Sequence, residues 1–513
     1  MVNTSAEVEE CPVTSYSPSA IERLGRERPE AFKSIWVEIG FCLSLLGSMF
    51  VSEYLISGFN LILPALSVAL QIPPQAQTWP ASVFSLVTGA FLLPFGRLAD
   101  MYGGYIIFIV GLVWLLVWTL IAGFSRNYIM FILCRALQGL GAAAFLPSGI
   151  MLMGIYYRPG PRKNLVFGLY GALAPAGFFA GVFFAGVSVQ LITWEWFFFI
   201  GSIILAIVVV VSYLTVPYDR KVKGATGVKM DWLGTMTIVP ALVLIVFALT
   251  EGSHAPRGWT TPYILVTFLL GFLFLGGFVY VEGWVADQPL LPGDIFNVKG
   301  MKALALALFF QYGNFGMFLF YASFYIEKIL HAGPLLASAW FSPMAIGGLF
   351  FATMGGMILH ILPGTILLLL SGTCFILSTL LFAIIPSNPT YWAYVFPAMI
   401  CASAGIDITF NVTNVFITTS MPKARQGLAG SLINSLLFLG ISFFLGFADL
   451  SVTMTADRGE GQSYKVAFWF ATGCAVFGMA VMFLGVKIGK ASSDLTVEER
   501  EELERELALR QSS

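Results

Sequence analysis

The sequence predicts an all-α, polytopic membrane protein, and three observations carry that prediction. Of its 513 residues 58% are hydrophobic and only 11% charged, against roughly 25% charged in soluble domains. The apolar residues come in blocks of about twenty, the length a helix needs to cross roughly 30 Å of hydrocarbon. Lys and Arg are unevenly shared between alternate breaks, as expected of helices inserted with one face toward the cytoplasm. The formal net charge of −1 gives no reason to expect nucleic acid as a partner.

Apolar runs place fourteen spans near 36–63, 79–97, 104–123, 128–156, 165–189, 196–216, 232–250, 262–282, 303–326, 336–358, 361–385, 391–420, 428–449 and 466–486. The break "MILHIL" at 357–362 is the shortest and most apolar. With the N-terminus inside, the cytoplasmic segments hold 21 Lys and Arg, the outer segments hold five, and Arg135 stays within a span. Both ends are therefore expected in the cytoplasm, and the plasma membrane is the expected location. Residues 1–34 form a polar tail with no cleavable signal-peptide core.

Two composition shifts divide the chain. The basic linker 217–230, "PYDRKVKGATGVKM", and the linker 283–302, which contains "DQPLLPGD", set apart two helices at 231–282. On either side stand six spans each, 35–216 and 303–487. The tail 488–513 includes "DLTVEEREELERELALR", whose Thr496 and Glu499 have capping-box spacing, so it reads as a charged helix.

The six cysteines (Cys11, Cys42, Cys134, Cys374, Cys401 and Cys474) are scattered and suggest neither a disulfide framework nor a zinc site. His254, His331 and His360 stand alone at span edges and read as solvated or interfacial. No metal and no cofactor is expected. The signatures of P-loop ATP hydrolysis, zinc proteolysis and the serine nucleophile elbow are missing, so the chain does not read as an enzyme.

The break after the second span reads "GRLADMYGG", residues 96–104. Gly96 and Gly103 permit a tight turn there, and Asp100 can engage a neighbouring helix N-terminus through its dipole. In the fourth span, "RALQGLGAAA" puts Arg135 and Gln138 one helical turn apart, followed by Gly139 and other small residues. These stretches resemble two signatures of the major facilitator superfamily, G-x-L-A-D-x-x-G and R-x-x-Q-G-x-G-A-A. In the first, Met101 and Gly104 stand where arginines are usual, and Arg97 is nearby.

The segments "MDWLG" (230–234), "FALTEG" (247–252), "GWTTPYI" (258–264) and "VEGWVADQPLLPGDIF" (281–296) resemble the fourteen-span drug:proton antiporter branch. "QGLAGSLINS" (426–435) is similar to fungal members of the aminotriazole-resistance type. The resemblance covers about residues 36–486 and implies two six-helix bundles with two inserted helices. It also implies proton-coupled efflux, with gating at Gly96, Asp100, Gly103, Gly139, Gly177 and Gly181. The branch usually carries G-P-x-x-G-G late in the fifth span; here Gly181, Val182, Ala185 and Gly186 occupy those places, and Pro175 lies earlier. The stripe Gly177-Gly181-Ala185 suits either helix packing or a leak-limiting bend. The usual W-R-W after it is Trp194-Glu195-Trp196.

Ionisable groups inside a membrane usually face a cavity or a partner, because leaving water costs about 2.5–3.5 kcal/mol. Arg135 lies roughly 10 Å below the outer surface, where it either snorkels outward or turns inward. Asp407, Asn411, Asn414 and Thr418 form one polar helix face, with Asp407 near the midplane. Glu53 and Asn60 share a face of the first span. Arg135, Asp407 and Glu53 are the proton-coupling candidates, and either carboxylate could partner the arginine. Gln138, Gln311, Asn314, Asn411, Asn414 and Asn434 are the substrate-cavity candidates, with Phe318, Tyr321 and Tyr325 at helical spacing in the ninth span.

The expected function is secondary transport by alternating access, exporting a drug, toxin or secondary metabolite against protons. Import of a small nutrient or ion is the alternative. The expected partners are a small-molecule substrate, protons and the lipid bilayer, and the chain is expected to be monomeric.

Overall fold

The computed structural model describes residues 27–157, 161–218, 229–358, 361–387, 389–420 and 423–489. Most of the N-terminal tail, Arg158, the linker core 219–228, His360 and the 494–510 segment lie outside the described residues, as do the side chains of Thr418, Lys423 and Arg425.

Fourteen helices are long and apolar enough to cross a membrane. They are α1 (Ile35–Ala69), α2 (Trp79–Tyr102), α3 (Gly104–Gly123), α4 (Tyr128–Tyr156), α5 (Pro161–Leu191), α6 (Glu195–Thr215) and α7 (Trp232–Glu251). The remainder are α8 (Pro262–Tyr280), α9 (Met301–Phe324), α10 (Pro334–Ile358), α11 (Gly364–Ala383), α12 (Val395–Ser420), α13 (Lys423–Thr453) and α14 (Glu460–Gly485). Side chains cap several starts: Ser34 accepts from Val37 N–H at 3.3 Å, Asn127 from Met130 at 2.8 Å and Asp231 from Gly234 at 2.8 Å. Each satisfies an N–H that has no partner in the helix itself.

Helix ends overrun the apolar runs. α1 continues past Pro64 to Ala69, α13 begins at Lys423, and α14 begins at Glu460. Polar turns outside the hydrocarbon stay helical but do not register as apolar sequence. The turn at "GRLADMYGG" also differs from expectation. α2 runs through Gly96 and Asp100 to Tyr102, and the break shrinks to Gly103 at φ 96°. Only the absence of a Cβ allows that conformation without strain. Gly96 is therefore a helical residue, not a turn former; a Cβ on it would lie 3.5 Å from Ser431 Oγ.

Helices α1–α6 form one bundle, with α1 on α5 and α6, α2 on α4, and α3 on α4 and α6. Helices α9–α14 form the second, with α9 on α13 and α14, α11 on α12 and α14, and α10 on α12. The bundles meet along α5–α10 and α2–α13. Helices α7 and α8 pair with each other, and α7 also packs on α2 and α13, over the seam. An even number of crossings puts the first and last described residues on one face, called the terminal face below; the other is the distal face.

Small residues set how closely the helices approach. A Cβ on Gly181 would strike Ser57 Oγ and the Tyr54 carbonyl, and one on Gly177 would strike the Phe50 carbonyl. The α5 stripe thus packs directly on α1, which is the helix-packing role of such stripes. Gly139 does the same for α4 on α2, where a Cβ would meet the Phe84 carbonyl at 2.6 Å. At the terminal face Glu38 accepts from Arg162 Nε at 2.7 Å and Nη2 at 2.6 Å, and from Tyr157 at 3.2 Å, tying α1 to α5. Glu195 opens α6, where a carboxylate meets the positive end of the helix dipole.

Gly181→Ala should lower the thermal unfolding midpoint in detergent, since overpacking costs roughly 1–3 kcal/mol. Gly168→Ala, with no atom within 4 Å of its Cβ position, should leave the midpoint unchanged. Fluorescence-monitored melts of the two variants check this.

Candidate functional site

Arg135 on α4 does not reach the membrane surface. It is 1% exposed; Nε donates to the Pro80 carbonyl at 3.2 Å and Nη1 to Gln138 Oε1 at 2.9 Å. Gln138 passes the chain on, donating from Nε2 to Thr119 Oγ1 at 3.2 Å. The guanidinium lies 4.0 Å from the Phe59 ring centroid and 4.5 Å from that of Phe84. Carbonyl, amide and two aromatic faces together replace water around the cation. Arg135 makes no ion pair with Glu53, Asp407 or any other described carboxylate, which corrects the expectation that one of them partners it.

Arg135 also borders a cavity of about 20 Å³ between the bundles, room for one water. Phe59, Asn60, Phe84 and Ser85 line it from one bundle, and Gly316, Leu319, Ile441 and Leu445 from the other.

The carboxyls sit elsewhere in the same interface. Glu53 on α1 is half-buried and within electrostatic reach of Asp407 on α12 and of Tyr170 on α5. Asp407 Oδ2 accepts from Ser403 at 3.0 Å, and Gly348 of α10 and Pro175 of α5 crowd together beside it. A Cβ on Gly348 would lie 3.2 Å from that oxygen and 3.0 Å from the proline ring. Asp407 thus lies at the seam where α5 meets α10, within electrostatic reach of Glu53 from the other bundle. Below Asp407 on the same face, Asn411 donates to the Ala352 carbonyl at 3.4 Å and Asn414 to Phe410 at 2.9 Å; both are half-buried. Asn434 of α13 is also half-buried and bonds Gly430 at 2.9 Å.

Three of the expected cavity residues face inward within a bundle instead. Gln138 is 0% exposed and held by Arg135 and Thr119. Gln311 and Asn314, each 0% exposed, turn into the second bundle and donate to Ala475 at 3.1 Å and Phe375 at 3.2 Å. Phe318, Tyr321 and Tyr325 are buried there too. Helical spacing marks a shared face but does not say which neighbour that face meets.

Hydrogen bonds also tell how the bundles are joined. Among the described residues, side-chain bonds between bundles lie in the distal half: Thr78 to Asp449 at 2.9 Å, Ser82 with Ser442 at 2.9 Å, Ser338 to Val182 at 3.0 Å, and Gln190 with Leu335 N–H at 2.9 Å. The distal side is closed. Asp449, with His254 2.6 Å from its second oxygen, was not visible from sequence. It ends an apolar run, where a charge is ordinary, and its partners come from segments nearly two hundred and more residues away.

Residues 45–445 match the Major Facilitator Superfamily. The chain belongs to that family. Like its relatives it is a membrane transporter of small molecules, not an enzyme. It is 36% identical to the low affinity ammonium transporter of Saccharomyces cerevisiae over 413 residues, 79% of each chain. It is 30% identical to the Saccharomyces cerevisiae aminotriazole resistance protein over 468 residues, 90% of this chain and 85% of that one. It is also 30% identical to the efflux pump terJ of Aspergillus terreus over 468 residues, 89% of each chain. A POT family transporter crystallised with a thioalcohol-conjugated peptide shares the fold, with TM-score 0.63 and 13% identity over 86% of this chain and 95% of that chain.

Arg135→Lys keeps the charge but cannot bond Pro80 and Gln138 in the same plane while lying flat between two rings. We expect a loss of about 1–3 kcal/mol from the buried groups left unpaired, seen as a lower melting midpoint. Transport in reconstituted vesicles should fall with it.

Proposed function

We propose that this transporter exports a small organic compound from the cytoplasm in exchange for protons, by alternating access between its two bundles. The observation that carries the reading is the placement of Asp407 at the α5–α10 seam, beside Pro175 of the first bundle, with Glu53 of α1 within electrostatic reach. Two carboxylates sharing a poorly hydrated space repel each other, and either a proton or a cationic group of a substrate relieves that repulsion. Proton and substrate then compete for one place, which is the physical requirement for exchange. Asn60, at the Arg135 cavity, and the half-buried Asn411, Asn414 and Asn434 would offer amides for polar groups of the cargo.

The Lys and Arg asymmetry supports a cytoplasmic terminal face, so the conformation is closed toward the outside. The plasma membrane, a monomeric state and gating at Gly96, Asp100, Gly103, Gly139, Gly177 and Gly181 belong to the same reading. The names of the efflux pump and the resistance protein favour export. Import of a small nutrient or ion is the second reading, favoured by the similarity to an ammonium transporter.

Asp407→Asn should abolish flux driven by an imposed pH gradient while the protein still folds and reaches the membrane. Glu53→Gln should do the same. Undiminished flux in vesicles carrying Asp407→Asn would remove that residue from coupling. Comparing inside-out with right-side-out vesicles under one gradient separates export from import.

A further inference from the structure

The inserted helices α7 and α8 interrupt a twelve-helix plan, and their contacts assign them a task. On the terminal face they are tied to α2. Arg97 donates from Nε to the Lys229 carbonyl at 3.1 Å and from Nη2 to the Gln288 carbonyl at 3.2 Å. Gln288 Oε1 in turn accepts from Lys229 N–H at 2.8 Å. One arginine on α2 therefore holds the chain both where it enters the inserted pair and where it leaves. On the distal face Glu251, the last residue of α7, accepts from Trp79 Nε1 at 3.1 Å, again at α2. The pair is bound at both ends to the first bundle.

Its polar link to the second bundle is of a different kind. His254, just beyond α7, places Nε2 2.6 Å from Asp449 Oδ2 on α13, while Oδ1 of the same carboxylate accepts from Thr78 at 2.9 Å. All three are buried: Asp449 is 7% exposed, Thr78 2%, and the His254 side chain 8%. One carboxylate of the second bundle thus holds the start of α2 and the inserted pair together over the distal seam. If the bundles separate distally, Asp449 must leave both partners at once.

We propose that the inserted pair is a strap carried by the first bundle and latched to the second by His254 on Asp449, which must release before the distal side opens. The proposal rests on the alternating-access reading. Breaking a buried, hydrogen-bonded ion pair is strongly unfavourable because each charge is left without its partner. The latch therefore biases the protein toward its distal-closed form. The hydroxyl of Tyr321 on α9, 2% exposed and without a partner, lies within electrostatic reach of Asp449 and offers it an alternative donor after release.

The latch also responds to pH. Burial would favour neutral His254, but the hydrogen bond and negative charge of Asp449, with the charge of Glu251, outweigh it and raise the imidazole above its ordinary value. The other titratable groups packed around the pair are Tyr321 of α9 and Tyr464 of α14, the latter beside Glu460. A raised value means that the latch is fully present below the ordinary histidine range and is lost as pH rises through the elevated one.

Hydrogen exchange of the full chain in lipid nanodiscs tests this without any transport substrate. Exchange over residues 71–82 and 442–455 is followed between about pH 6.5 and 9, corrected for the chemical rate. The wild type should open more readily as pH rises. His254→Ala should exchange about tenfold faster at the lower pH and lose the pH dependence, and His331→Asn should behave as wild type. His254→Lys, a cation over the whole range, should stay protected at high pH. A wild type without pH dependence overturns the latch, as does a folded His254→Ala that remains protected. Should His254→Ala fail to fold, the wild-type titration and His254→Lys decide. If vesicles show no transport while the exchange follows the expected pattern, the functional reading fails and the strap stands.

Discussion

Hydrocarbon offers a polar group nothing to bind, and most of this structure follows from that constraint. The backbone meets it by running as fourteen helices, since a helix satisfies its own carbonyls and amides. Many serine and threonine side chains within the spans meet it by bonding the carbonyl a turn earlier, as Ser148 does to Ala144 at 2.6 Å, while among the described residues Ser188, Ser212, Thr250 and Ser435 are buried without a partner. Arg135 meets it hardest of all. A guanidinium 1% exposed survives in the membrane because Pro80, Gln138, Phe59 and Phe84 surround it with a carbonyl, an amide and two ring faces.

The same constraint separates fully buried polar side chains from half-buried ones. Gln138, Gln311 and Asn314 are fully buried and committed to partners within a bundle. Glu53, Asp407, Asn411, Asn414 and Asn434 are half-buried. The first group makes each bundle rigid. The second keeps some exposure, and it is the group to which the proposed exchange assigns proton and cargo.

Close packing within a bundle and polar latching between bundles do different jobs. Glycines bring α5 onto α1 and α4 onto α2 with backbone against backbone, contacts that leave little room for adjustment. Between the bundles the distal bonds are few, and each joins single side chains or one side chain to one backbone group. Such bonds can break and re-form as units. The inserted pair adds to them at one seam only, over α2 and α13.

The sequence by itself determined the class, the number of spans and the family signatures, and it singled out Glu53 and Asp407 only as separate candidates. These are local properties: twenty apolar residues, Arg135 beside Gln138, a carboxyl in the middle of a span. Gly103 was legible for the same reason, though the turn around it proved shorter than the motif suggested. Only the tertiary structure decided partners. Asp407 accepts from Ser403 and Arg135 bonds Pro80 and Gln138, Gln311 turns into its own bundle, and a histidine that reads as interfacial is clasped by Asp449. The physical reason is that a helix face is periodic in sequence, whereas the neighbour it meets depends on how fourteen such faces pack. That choice is made over separations of up to 371 residues, as between Thr78 and Asp449, where no local pattern reaches.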